Sequence, residues 1–180
     1  MAAARDVSHA LLRNAGPLGH EGRAASGDHA VLKLWLRLLA TATQIENEVR
    51  RRLREQFGIS LARFDYLSQL YRVPGGMKMR ELSRFLMVTG GNVTGLTDEL
   101  ERDGLVVREE SPTDRRAWIV RLTDQGRASF EAMAEEHERW IRELFAGLDA
   151  DTVRGLHAQL GTLRAHLGDA LTPAEGETTA

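Results

Sequence analysis

Residues 29–57 carry more apolar surface than one small chain can cover, and this limits what the chain can fold into. Val31, Trp35, Leu38, Ala42, Ile45 and Val49 recur at alternating steps of four and three, the stripe of a single long helix. Leu32, Leu34, Leu36 and Leu39 spread apolar character around the rest of its first half. A helix apolar nearly all round is buried on both sides. A chain of 180 residues has one ordinary core to offer, so the second side is assigned to another subunit. The later half turns polar and ends in the basic run "RRRLR" at 50–54, which reads first as a solvated face.

Gly58 is placed to stop this helix and Ser60 to cap the next, whose stripe is Leu61, Phe64, Leu67 and Leu70 or Tyr71. "VPGG" at 73–76 ends it. A short third helix follows with Leu82, Phe85 and Leu86 inward. After Gly104 the period changes. "LVVREES" and "AWIVRLT" are rich in β-branched and aromatic residues, with Trp118, Val120 and Leu122 alternating to one face. "PTDRR" between them is a polar hairpin tip. Thr123 then caps a helix over 124–147, with the stripe Phe130, Met133, His137, Trp140, Ile141, Leu144 and Leu148. His137 there reads as a hydrogen-bonded core histidine rather than a ligand. A last helix over about 150–167 shows Val153, Leu156, Leu160, Leu163 and Leu167. Residues 1–27 are expected to be a disordered arm and 169–180 a flexible tail.

The stretch "LMVTGGNVTGLTDELERDGLV" at 86–106 concentrates glycine at a helix start. Gly90 and Gly95 have the spacing of a phosphate loop, but Leu96 and Thr97 follow where a lysine and a hydroxyl residue are needed. The dinucleotide pattern is absent, and a helix precedes rather than a strand. As a helix beginning after Thr89, the segment puts Val93, Leu96 and Leu100, with Thr97, on one face. Gly91, Gly95 and Asp98 point the other way, flanked by Asn92 and Thr94. The outward start is small and hydrogen-bonding. Thr89 can cap it, and free N–H groups from Gly90 onward favour an anion. Glycine costs about 1 kcal/mol inside a helix, and close approach to a large surface offsets that cost. A helix following a short helix and tight turn suits a DNA major groove. Asn92 and Thr94 reach base edges there. Arg115 and Arg116 at the hairpin tip suit a minor groove or phosphates, with Asp114 bracing the tip. Arg84, with Arg80 and Ser83, is a candidate phosphate contact on the preceding helix, equally readable as solvated surface.

Composition narrows the alternatives. The chain has no cysteine, so disulfides, cysteine zinc sites and thiolate nucleophiles are excluded. His9, His20 and His29 lack metal-ligand spacing, and no cofactor motif is found. Net charge is -2, so a nucleic-acid surface must be a local patch. The longest apolar run, 31–40, is interrupted by Lys33 and Arg37 and is too short to span a bilayer. No signal peptide is read at the start, and a cytoplasmic protein is expected.

"ELSRFLMVTGGNVTGLTDELERDGLV" at 81–106 and "DRRAWIVRLTDQG" at 114–126 resemble the MarR family of winged helix-turn-helix transcription regulators. The second segment is similar to the family's wing signature, here Asp114, Arg116, Leu122, Thr123 and Gly126. The resemblance implies a mainly α fold with a small β-hairpin wing and a dimeric architecture. It divides the chain into helical dimerisation segments at 28–57 and 124–168 and a DNA-binding region at 58–123. It also implies a homodimer on a pseudo-palindromic double-stranded DNA operator, repression, and release by a small effector, commonly an aromatic acid. The absence of cysteine argues against the peroxide-sensing branch. "LMVTGGNVTGL" resembles the branch answering to aryl-CoA thioesters in aromatic catabolism. Trp35, His29 and Arg63 are the candidate effector-pocket residues, for stacking and anion binding. Arg50, Arg51, Arg52 and Arg54 could attract the phosphates of CoA, but read first as a solvated face.

Two other function classes compete with this reading. A small enzyme acting on a nucleotide or acyl-CoA would need a nucleophile or acid–base pair in a pocket. No such motif is present, and Glu109 and Glu110 are adjacent in a strand and so face opposite ways. A winged-helix module serving only protein contacts would bind no DNA even at low salt.

Overall fold

The computed structural model describes residues 30–86, 90–111 and 114–171. The expected N-terminal arm and most of the expected tail lie outside those residues. Helix α1 spans Ala30–Phe57 and stops where Gly58 takes φ +65°. Ser60 caps α2, Leu61–Tyr71, its hydroxyl accepting from the Arg63 N–H at 3.3 Å. Gly76, at φ +82°, turns the chain into a two-residue strand β1, Met77–Lys78. Alternation cannot be read from two residues, which is why the sequence does not announce this strand. Then come α3, Met79–Phe85, and α4, Gly90–Arg102. Strands β2, Val106–Ser111, and β3, Asp114–Leu122, form the expected hairpin. Helices α5, Asp124–Phe145, and α6, Ala150–Leu171, complete the described chain. The last helix therefore runs past the expected end near 167.

The sheet is antiparallel in the order β1-β3-β2. Met77 lies opposite Val120, and Val120 opposite Arg108. Two compact units divide the described residues, 30–142 and 143–171.

The core of the first unit forms where the second half of α1, α2 and α5 supply large side chains. Leu53, Tyr66, Leu67, Leu70 and Trp140 are fully or almost fully buried. Phe64 packs between Phe130, 5.5 Å away centroid to centroid, and His137, 5.2 Å away. Burial also lowers the pKa of His137, as befits a core histidine, against an opposing influence from Asp65. Under the sheet and α4, Val93, Leu82, Leu100 and Val120 extend this core.

Three expectations need correction. Phe85 was expected inward, yet it is 60 % exposed, because α3 has only seven residues and Leu82 alone occupies its buried line. Tyr66 was not on the expected α2 stripe, yet it is fully buried. Trp118 shares the face of buried Val120 but is 48 % exposed, since the core ends beneath Val120. Elsewhere the first half of α1 leaves Val31, Leu34 and Trp35 open, and α6 leaves Val153, Leu156 and Leu160 open.

Gly126, in the first turn of α5, has the tightest surroundings of the described glycines. A Cβ there would stand 2.7 Å from the Leu105 carbonyl carbon and closer still to its oxygen. Backbone cannot swing aside as a flexible side chain can. Gly126→Ala should therefore cost about 1–3 kcal/mol or more. A thermal melt at fixed protein concentration, matched to the wild type, checks this. An unchanged midpoint would show that the contact yields freely.

Candidate nucleic-acid interface

Helix α4 has a sharp division of faces. Val93, Thr97 and Leu100 are fully buried and Leu96 half-buried. Gly91, Asn92, Thr94, Gly95 and Asp98 are exposed. A Cβ added at Gly91 or Gly95 would meet nothing within 4 Å. Internal packing thus gives no reason for either glycine, although each costs about 1 kcal/mol relative to alanine. Close approach by something outside the chain would account for both.

One buried polar pair ties this helix to α2. The Tyr66 and Thr97 hydroxyls lie 2.6 Å apart. Thr97 also donates to the Val93 carbonyl at 2.7 Å. Its single proton is thereby used, so Tyr66 donates to Thr97. Burial pushes the tyrosine pKa up to about 12. The pair places two polar atoms in an apolar seam, the phenol satisfied by Thr97 and the Thr97 proton by the Val93 carbonyl.

The C-terminal end of α4 is clamped to the hairpin. Gly104, at φ +70°, reverses the chain, and Leu105 N–H donates to the Leu100 carbonyl at 2.9 Å. Glu101 accepts the Arg108 backbone N–H at 3.2 Å and its Nε–H at 2.8 Å. Arg108 also pairs with Asp98 at 2.7 Å. Hydrogen bonds from the Arg108 side chain hold the Glu101 carboxyl below its ordinary range. Thr123 closes the other side. Its hydroxyl donates to the Gly104 carbonyl at 2.7 Å and accepts the Gly126 N–H at 2.9 Å. Recognition of a large surface by α4 and by the hairpin would therefore be geometrically coupled.

A cleft of about 340 Å³ opens beside this junction. Phe57, Ile59, Leu105 and Met133 give it apolar walls, and Arg63 and Asp103 give it charge. The Arg63 and Asp103 side chains form an ion pair. Arg63 Nε is buried and makes no hydrogen bond.

The expected residues are thus distributed over several elements. Gly91, Asn92, Thr94 and Gly95 share the outward face of α4, which begins at Gly90. Arg84 is exposed on α3. Asp114, Arg115 and Arg116 open β3 at the hairpin tip, with Asp114 opposite Ser111. Thr89 and His29 lie outside the described residues. Arg63 lines the cleft; Trp35 stands 57 % exposed on α1 and is not among its lining residues. The run at 50–54 is not a free basic patch. Arg50 pairs with Glu46 at 2.8 Å, Arg51 with Glu48 at 2.6 Å and Arg52 with Glu48 at 2.7 Å. Hydrogen bonds from Arg51, then Arg52, hold the Glu48 carboxyl at about 2. The solvated-face reading accounts for this run. Sequence reasoning missed Arg108, although a signal was present. Val106 and Arg108 share the hairpin face of Val120, and a charged residue on a core-facing strand position requires a partner.

A MarR family model matches residues 57–117. The HTH-type transcriptional regulator YkoM of Bacillus subtilis is 33 % identical over 115 residues, 64 % of this chain and 74 % of that protein. The chain belongs to the MarR family. Membership makes it a transcriptional regulator rather than an enzyme. A MarR family transcriptional regulator from Silicibacter pomeroyi is 34 % identical, with a TM-score of 0.63 over 79 % of this chain and 99 % of that one. Sco3205, a MarR family regulator of Streptomyces coelicolor solved in complex with DNA, is 25 % identical. Its TM-score is 0.67 over 80 % of this chain and 89 % of that one. The winged-helix architecture expected from the sequence is therefore that of the family.

The Tyr66–Thr97 pair gives an asymmetric test. Thr97→Val leaves a buried phenol without its acceptor and should cost about 1–3 kcal/mol. Tyr66→Phe leaves the Thr97 donor satisfied and should cost less. The double variant should cost less than the sum. Urea melts of all four proteins at one concentration measure this, and strict additivity would show that the pair contributes no coupling.

Proposed function

We propose that this MarR-family regulator is a ligand-responsive repressor that binds a pseudo-palindromic DNA operator as a homodimer. The observation that carries this reading is the outward face of α4, where two glycines that internal packing does not need flank Asn92 and Thr94. A helix with such a face enters a major groove closely, and Asn and Thr read base edges there. Arg115 and Arg116 at the hairpin tip then serve the minor groove or phosphates, with Asp114 bracing the tip and Arg84 a phosphate contact. The DNA complex of Sco3205 supports the assignment by likeness. The open apolar residues of α1 and α6 support the second copy.

The cleft beside Arg63 supports the effector part of the reading. An aromatic carboxylate would lay its ring against Phe57 and Met133 and offer two oxygens to Arg63. One of them would satisfy the buried Nε. Such a ligand competes with Asp103, the residue immediately past α4. A cleft of about 340 Å³ accommodates an aromatic acid or the acyl end of an aryl-CoA thioester. The nucleotide portion of a thioester would extend beyond it.

Gly91→Leu tests the α4 reading. The side chain has open space, so the variant should melt near the wild type. Its affinity for duplex DNA flanking its own gene should nevertheless fall at least a hundredfold in a gel shift. Retained affinity would remove the close-approach argument.

The effector reading is tested on the same duplex with p-coumarate and p-coumaroyl-CoA added separately. Release by either compound, lost in Arg63→Ala, is the expected result. A specific shift indifferent to both would keep the DNA-binding reading and discard this effector class.

A further inference from the structure

The hairpin has an inner face defined by its register. On β3 it runs outward through Leu122, Val120 and Trp118; opposite them on β2 lie Val106, Arg108 and Glu110. This face is turned toward α4, because Arg108 on it pairs with Asp98 and Glu101. Val120 is fully buried and Leu122 half-buried, whereas Trp118 is 48 % exposed. Two residues along a strand move about 7 Å. The indole therefore stands roughly one such step beyond the clamp, still on the face turned toward α4. The positions of Arg116 and Arg115 lie two and three residues before it in sequence.

Single exposed apolar side chains are ordinary on protein surfaces. What distinguishes Trp118 is its place between two elements. This step rests on the DNA-binding reading above. In that reading α4 occupies a major groove and the hairpin tip reaches the adjacent minor groove or the phosphates at its edge. The ridge between adjacent grooves of a duplex is one sugar–phosphate strand. A residue between the two reading elements, on the face turned to α4, meets that ridge. Glu110 lies directly opposite Trp118, so the spot disfavours a phosphate. A deoxyribose, whose edge is largely C–H, is the partner that an indole beside a carboxylate can accept.

We propose that Trp118 is a DNA contact residue whose indole packs on a deoxyribose of the strand between the grooves read by α4 and the hairpin tip. Sugar contacts fix register on the duplex without reading sequence. An uncharged contact also releases no counterions, so it leaves the salt dependence of binding untouched. That separates it from the arginines at the tip.

The test compares wild type, Trp118→Phe, Trp118→Ala and Arg116→Ala on the duplex flanking the protein's own gene, across a KCl series. Trp118→Ala should bind about tenfold more weakly at every salt concentration, with an unchanged slope of log affinity against log salt. Trp118→Phe should lose less than about threefold, retaining an aromatic ring for the sugar. Arg116→Ala should flatten the slope by about 0.9. Acrylamide quenching provides a measurement that needs no alanine variant. The emission of Trp118, obtained as wild type minus Trp118→Phe, should become shielded when the duplex binds. Trp140 is buried, and Trp35 supplies an exposed background common to both proteins. Unchanged affinity in Trp118→Ala, or Trp118 emission left unshielded on a bound duplex, would overturn the contact while leaving the DNA-binding reading intact. Failure of the wild type to bind any duplex at low salt would overturn that reading and the contact with it.

Discussion

The Leu105 backbone lies against the first turn of α5 with no room for a side chain between them, and the junction of α4, the hairpin and α5 depends on that contact. Three hydrogen bonds surround it. Thr123 N–H donates to the Leu105 carbonyl at 3.1 Å. The Thr123 hydroxyl serves the Gly104 carbonyl and the Gly126 N–H together. One threonine thus caps α5 and closes the turn that joins α4 to the hairpin. The Leu-Thr-x-x-Gly pattern at 122–126 has a physical explanation in this junction. Leu122 ends the strand, Thr123 links two elements, and Gly126 permits the approach. Displacing this turn would move the end of α4 and the start of the hairpin together.

Charge placement follows the same logic. The chain carries net charge -2, and α4 has acidic residues at 98, 99 and 101. A polyanion would be repelled by carboxylates left unneutralised near it. Arg108 binds Asp98 and Glu101, and Arg63 binds Asp103 just beyond the helix. The N-terminal part of the exposed α4 face is left to glycine, asparagine and threonine. The arginines of α1 show the converse. Three of them are engaged by glutamates on their own helix, so a basic run in sequence does not become a phosphate site in space.

The sequence makes most of the fold legible because long amphipathic helices and a β-branched hairpin have distinct periods. Gly58, Ser60 and Thr123 mark their boundaries through backbone requirements that few other residues meet. What stays hidden has identifiable causes. β1 is too short to show alternation. Phe85 and Trp118 obey their faces, but a face extends farther than the core beneath it, and period alone does not say where the core ends. Tyr66 and Thr97 are polar residues that become core only through each other, a pairing 31 positions apart that no local pattern encodes. The outward face of α4 was readable because its helical period and its glycines agree. The cleft was readable only at Arg63, since its other walls come from α1, the turn after α4, and α5.

That composite origin bears on how a ligand could be felt by the reading helix. Asp103 belongs to the turn that ends α4, and its N–H donates to the Glu99 carbonyl at 3.0 Å. Its carboxylate is held by Arg63, one turn before Tyr66 on α2. Tyr66 in turn holds α4 at Thr97. Helix α2 therefore grips α4 twice, once through an ion pair on the cleft wall and once through buried hydroxyls. In the proposed reading an anionic ligand replaces only the first grip, because Tyr66 and Thr97 are fully buried and beyond its reach. The helix would then be retained at its middle and released at its C-terminal end, where the hairpin is attached through Arg108. A ligand with equal affinity for both arrangements would shift nothing. Its leverage is the difference between an Arg63 paired with Asp103 and an Arg63 whose Nε and Nη2 are both satisfied. That difference grows as the apolar walls exclude water from the pair.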